Sequence, residues 1–587
     1  MGPRENDQTV LRHSLSRRSL LRSTTAVGVI PVLNRREQRV ARAAQATPQA
    51  EDQIGQLTVI RDQEPAYAGE PIAGGDLRIP LHQAENENFN PVAFDQDFQI
   101  PVSYLDPLVK PNPLTLAPEP WLAESWEWNE DQTVITYSLR SGVTWHDGTP
   151  LTADDVRFSL FVARDDIFSE IRNFFVLMDD VEAVDDLTVR VILSAVDNTW
   201  LFNASSLLIF QRAQYTDYWS SRPYGERTLT GFDWEASPPL GTGPWIVEAF
   251  DGDGVTMTRN DAYWAGAPFM ESLSLPAMPD PADRLAAWNE GEIDLLWPVP
   301  AIALDELSGT PARLHVVPSA SVMFAAFNFD NPARIVPNLL AEPALRAALN
   351  LAIDRVGYAE DVFRGFIAAD QAGTVAQPWA NAETVTNPRR DVRKARQILA
   401  DAGWQDFDGD GILDDVNGQR LELVTIVRED APPELIETLQ RVSEDLREIG
   451  ATLNIQVLEP AAFMERWINA HDFDLIAYAY DLFPGFTDFD LYGSAWDIRV
   501  NPQGWNPGGY RNLDVDQAIL ERFETVDQDE QAAILEEIQR ITNKDLFGLW
   551  FGFPYDLILV RESIQGFRPN VLWQTADTRL MWQAGER

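Results

Sequence analysis

Along the second half of the chain, apolar residues recur at the three- and four-residue spacing of amphipathic helices. Pro343 stands at a first helical position, and Leu345, Ala348, Leu349, Ala352 and Ile353 follow on one face. Asp391 opens a second helix with Ala395, Ile398, Leu399 and Ala402 inward and Gly403 as its stop. A third spans 434–449, with Leu435, Leu439, Val442, Leu446 and Ile449 inward and Gly450 ending it. The last two are each followed by an apolar run that reads as a strand, 421–427 and 453–457. Helix–strand alternation of this kind predicts an α/β domain over residues 325–545.

The part before residue 300 is richer in strands and turns. Residues 76–81 form a first strand after Gly74-Gly75, and 134–139 alternate, with Ile135, Tyr137 and Leu139 on one face. Asp147-Gly148 marks a turn, and Thr152 with Asp155 three residues on is a capping-box entry into a helix. There is no internal repeat. Residues 47–73, rich in Gln, Glu, Ala and Pro, read as a linker.

Charge narrows the function classes. The 587 residues carry 91 acidic against 46 basic side chains, a net charge of -45. Such a surface repels phosphate backbones and anionic headgroups, which disfavours nucleic-acid and membrane-surface partners. Cysteine is absent, excluding disulfides, thiolate metal sites and a lipid anchor attached through cysteine. None of the five histidines has an i, i+4 partner for a helical zinc pair.

Residues 1–46 are arginine-rich, and Ser16-Arg17-Arg18-Ser19-Leu20-Leu21-Arg22 resembles a twin-arginine export signal before a short apolar stretch. Ala44-Gln45-Ala46 offers a small-residue cleavage site, so the mature protein is expected outside the cytoplasm, in the periplasm or cell envelope.

Trp121-Leu-Ala-Glu-Ser-Trp126, followed by Tyr137-Ser-Leu-Arg-Ser-Gly-Val-Thr-Trp145-His146-Asp147-Gly148, closely resembles the signature of the family 5 extracellular solute-binding proteins, the oligopeptide, dipeptide and nickel receptors of ABC importers. Further blocks match in order: Gly241-Thr-Gly-Pro-Trp245, Arg259-Asn-Asp-Ala-Tyr263-Trp264, Leu285 to Asp294, and Arg346 to Arg355. The resemblance implies an α/β type II periplasmic-binding fold of the cluster C kind, with two hinged lobes and an inserted accessory domain. Lobe I would take 74–107, 239–323 and 548–587, the accessory domain 108–238, and lobe II 324–547. It also implies a monomeric receptor, not an enzyme, that delivers a solute, by default a peptide, to a membrane permease.

By position in the family pattern, Glu85, Asn86, Asn88, Phe89, Asn90 and Tyr104 would face the cleft between lobes. His146 and Asp147 read instead as turn residues. Tyr480 falls at the family's aromatic position, but Phe483 stands where the resemblance places an aspartate for a peptide's amino terminus. Asp481 or Asp488 would have to replace it through a reshaped loop, because a buried ammonium needs a carboxylate partner. Trp467, Trp496, Trp505 and Tyr510 fall in the lobe II region and keep an oligosaccharide open as ligand, since flat aromatic faces stack on sugar rings.

Asp406, Asp408 and Asp410 with Gly411 resemble half of a calcium loop, although Asn417 occupies the place of the bidentate glutamate and a strand follows instead of a helix. The more economical reading is a plain turn, with no cofactor. A secreted hydrolase is the rival from another class, but no nucleophile elbow, His-Glu-x-x-His helix or phosphate loop is present.

Overall fold

The computed structural model describes residues 53–61, 70–83, 89–93, 98–113, 116–319, 321–334, 338–373, 385–481, 491–501, 504–569 and 577–584. The export-signal reading of 1–46 lies outside them.

One ten-stranded sheet runs through both halves of the molecule. Its second-half portion is the predicted α/β domain. Glu422–Arg428 lies parallel to both Thr452–Leu458 and Leu475–Asp481. Ser321–Phe327 then pairs antiparallel with Leu475–Asp481. Leu345, Leu349, Ala395, Leu399, Leu435, Leu439, Val442 and Leu446 of the three foreseen helices pack on one face of this sheet. Val515, Ile519 and Ile538 of two further helices, Leu513–Glu524 and Gln528–Asp545, pack on the other. The helix boundaries follow local chemistry. Asp391 accepts the Lys394 N–H as N-cap of Val392–Asp401, and Gly403 takes the left-handed conformation (φ 93°) that ends it.

The two halves are stitched by one long strand, Gly548–Arg561. Residues 548–552 pair with Ser321–Phe327, and residues 555–561 pair with Ala312–Pro318. The strand changes partner at Gly552, whose φ of 126° favours glycine, and where a Cβ would lie 2.6 Å from the Ala368 carbonyl oxygen. Both crossings between the halves, at 318–321 and 552–555, therefore lie side by side, the geometry of a two-strand hinge.

Residues 123–193 form their own four-stranded antiparallel sheet. The capping box at Thr152 and Asp155 forms as read, opening Ala153–Asp165. Asp76–Arg78 joins a second four-stranded sheet with 245–276. The core does not break at residues 108 or 238: one continuous apolar cluster joins Leu77, Tyr137, Trp200, Trp245 and Leu273. The inserted segment is fused to its neighbour by shared packing.

Candidate functional site

The family-like blocks meet at a buried carboxylate. Asp106, 3% exposed, accepts hydrogen bonds from Trp121 Nε1 (2.7 Å), Thr242 Oγ1 (2.9 Å), Tyr263 OH (2.8 Å) and Trp264 Nε1 (3.1 Å). His146 Nε2 pairs with the Gly243 carbonyl at 3.1 Å, and burial pulls its pKa down. Asp147 holds its turn by accepting from the Thr149 N–H and hydroxyl. Arg78 pairs with Asp294 at 2.8 Å, tying the first strand to the block that ends there. Satisfied networks of this kind fix backbone position, and that is the work the motif residues do here.

The cleft lies elsewhere. A cavity of about 1030 Å³ opens between the lobes, outside the carboxyl ends of Glu422–Arg428 and Leu475–Asp481. Ligands of open α/β sheets bind in this position because helix N-termini and loops converge there. Its walls are apolar: Leu285 and Trp297 from the first half, Met323, Phe363 and Phe366 from the second, and Tyr555 beyond the hinge. Asp481 opens into it. That residue keeps access to solvent, yet the surrounding protein pushes its carboxyl pKa up, against the hydrogen bond from the Ser321 hydroxyl.

At the rim the lobes touch. Glu434, the second residue of Pro433–Arg447, accepts the Ala301 N–H at 2.6 Å and also the Ile302 N–H. Burial raises its pKa, and those two N–H groups oppose the rise. Arg364 pairs with Asp305 across the same seam at 2.6 Å. On the far side, Asn198 Nδ2 donates to the carbonyls of Arg522 (2.5 Å) and Thr525 (2.9 Å) at the end of helix Leu513–Glu524.

Of the residues singled out from sequence, Asp481 alone among those described lines this cavity. Phe89, Asn90 and Tyr104 are corrected to core positions. Each is 0% exposed, and the Phe89 ring meets Tyr104 at 6.0 Å and Phe250 at 4.8 Å. Two of the three are large aromatics, and the packed interior takes them more readily than an open cleft. Tyr480 is corrected too. It sits one residue from Asp481 on a strand, so its ring points to the opposite face. There it joins Tyr478 and Trp505 at 6.1 and 6.2 Å, with Trp467 5.4 Å from Trp505. Trp496 is half-buried on the turn Ser494–Trp496 and does not line the cavity. Tyr510 packs between Phe329 and Phe547 and donates to Asp545 at 2.6 Å. Glu85, Asn86, Asn88, Phe483 and Asp488 lie outside the described residues.

Asp406, Asp408 and Asp410 offer oxygens within 4.8 Å of one another on an exposed loop. Those carboxylates already have partners: Arg420 pairs with Asp410 and reaches Asp408 at 3.7 Å, while Asp406 accepts the N–H groups of Gly409 and Gly411.

Two lobes on a two-strand hinge, with a roomy cavity between them and a contact across its rim, define a receptor that closes on a solute. The chain belongs to the bacterial extracellular solute-binding proteins, family 5, whose model matches residues 117–496. Family members are substrate-binding receptors of the extracytoplasmic space. A probable di/tripeptide-binding protein 5 of Pseudomonas aeruginosa is 25% identical over 473 residues, covering 77% of this chain and 84% of that protein. The fold is similar to that of the oligopeptide-binding protein AppA of Bacillus subtilis in complex with a nonapeptide (TM-score 0.68, 23% identity, 88% and 100% of the two chains). It is also similar to NikA of Brucella suis in complex with Fe(III)-EDTA (TM-score 0.74, 20% identity, 87% and 100%). Among the described residues no helix is long and apolar enough to cross a membrane.

Proposed function

We propose that this chain is the receptor of an ABC importer, capturing a peptide in the interlobe cavity and presenting the closed form to its permease. The observation that carries the ligand reading is Asp481, a carboxylate in the wall of a largely apolar cavity of about 1030 Å³. A peptide's ammonium would pair with it while side chains fill the apolar volume. The pair Arg17-Arg18 supports export to the periplasm or cell envelope, where the receptor would act as a monomer. An oligosaccharide is the second reading. It is favoured by Trp505, 45% exposed beside Tyr480 and Trp467, although that cluster lies on the other face of the strand from Asp481.

Titration calorimetry with a panel of di- to pentapeptides and with cello-oligosaccharides tests the reading. Peptide binding at one site, weakened by Asp481→Ala, is expected. At about a hundredfold over Kd the bound peptide should stabilise the fold by about 2.7 kcal/mol. Appearance of cleaved peptide, or peptide affinity indifferent to Asp481→Ala, would refute it.

A further inference from the structure

The charge of the cleft is one-sided. Among the described residues, the charged side chains lining the cavity are Arg284, Glu429, Asp430, Glu434, Asp481 and Asp556, one cation against five carboxylates. The single cation is committed, since Arg284 Nη1 donates to the backbone carbonyls of Met278 (2.5 Å) and Pro279 (2.9 Å). Of the nearby basic groups, Arg364 is paired with Asp305, His82 Nε2 is 2.7 Å from the Trp297 carbonyl, and Arg61 stands outside the lining, behind the Phe366 ring. Asp430 pairs with Arg428, Glu434 accepts the Ala301 N–H, and Asp481 accepts the Ser321 hydroxyl.

A ligand carboxylate entering here would lose its water, find no uncommitted cation among the described lining residues, and meet like charge. An ammonium or guanidinium would find Asp481 and Glu429 in the cavity wall.

We propose that the cleft selects for cationic solutes, taking an apolar body that carries an ammonium or guanidinium group and rejecting ligands whose charge is net negative. The proposal rests on the receptor reading above and deepens it by fixing the sign of the ligand's charge. For peptides, a free carboxyl end is then a liability.

Titration calorimetry on the purified full chain with one peptide in four end forms tests this. The probe is the tetrapeptide Ala-Phe-Leu-Ala with a free or acetylated amino end and a free or amidated carboxyl end; spermidine, cellotetraose and Fe(III)-EDTA complete the panel. The form with free amine and amidated carboxyl should bind tightest. The acetylated free acid should bind at least about tenfold more weakly, the scale of a charge mismatch at an interface. Asp481→Asn and Glu429→Gln, both on exposed residues, should each narrow that gap. Equal or tighter binding of the acetylated acid, or binding confined to Fe(III)-EDTA or cellotetraose, would overturn the charge preference while leaving the receptor standing. Silence of every probe would count against the receptor reading itself, and the charge preference would fall with it.

Discussion

Removing Glu434 should hold the two lobes apart. Its carboxylate is the acceptor for the Ala301 and Ile302 N–H groups, 133 residues away in sequence and on the other side of the cleft. In Glu434→Ala those donors lose a charged acceptor in the closed form, whereas in an open form water serves them. A hydrogen bond to a charged group contributes about 1.5–3 kcal/mol, and the raised pKa of Glu434 shows that burying it already costs part of that. The lower end of the range is therefore the right expectation, about 1.5 kcal/mol. That is about a tenfold shift in the closed-to-open ratio. Because ligand is held in the closed form, apparent affinity should fall by a similar factor. Titration calorimetry with the tightest-binding peptide reads the affinity, and small-angle scattering of the ligand-free protein reads the larger radius. Glu434→Gln keeps an oxygen acceptor and should lose about half as much. If Glu434→Ala binds as tightly as the parent and scatters identically, the contact is incidental to closure.

Three further outcomes are expected. Gly241→Ala would set a Cβ 1.6 Å from the Tyr104 carbonyl oxygen, so backbone must move at about 3 kcal/mol or more; an unchanged urea midpoint would contradict this. His315, 1% exposed, has no hydrogen-bond partner at either ring nitrogen among the described residues, and burial depresses its pKa to about 3. Its neutral form is the folded one, so stability is retained above the unfolded pKa of 6.5 and lost as pH falls toward 3. His315→Leu should abolish about 2 kcal/mol of the stability lost between pH 7 and pH 5, read by denaturant titration at both values; an unchanged pH dependence would refute the assignment. Because Arg420 already engages Asp408 and Asp410, and Asp406 is held by backbone N–H groups, Tm should agree in millimolar calcium and in EDTA, and a calcium-dependent rise would show a bound ion.

What could be read from sequence divides along the distance over which the cause acts. The three helices beginning near Pro343, Asp391 and Glu434 were legible because periodicity and caps are local, and each formed within a residue or two of its expected bounds. The shared strand Gly548–Arg561 was not, since its partners lie more than 200 residues away and no local pattern specifies them. The same division holds in the site. Asp481 was legible only through its position in the family pattern, as part of a loop; the structure puts it at the end of strand Leu475–Asp481, whose alternation excludes Tyr480 from the same wall. Phe89 and Tyr104 needed only the default that large aromatics go inside. Glu434 looked like an ordinary acidic residue in a first helical turn, and nothing near it in sequence announces Ala301. The signature blocks proved to report architecture, converging on Asp106.

The strand that joins the lobes also sets the order in which the protein can be built. Its pairing with 312–318 and with 321–327 means that neither half of the large sheet is complete until residues 548–561 have been synthesised. A chain emerging from the ribosome would carry these unsatisfied strand edges, with few local contacts to protect them, for most of its synthesis. High contact order makes such folding slow and exposes intermediates to aggregation. A dense negative charge, -45 over the chain, gives nascent copies a means of repelling one another during that interval.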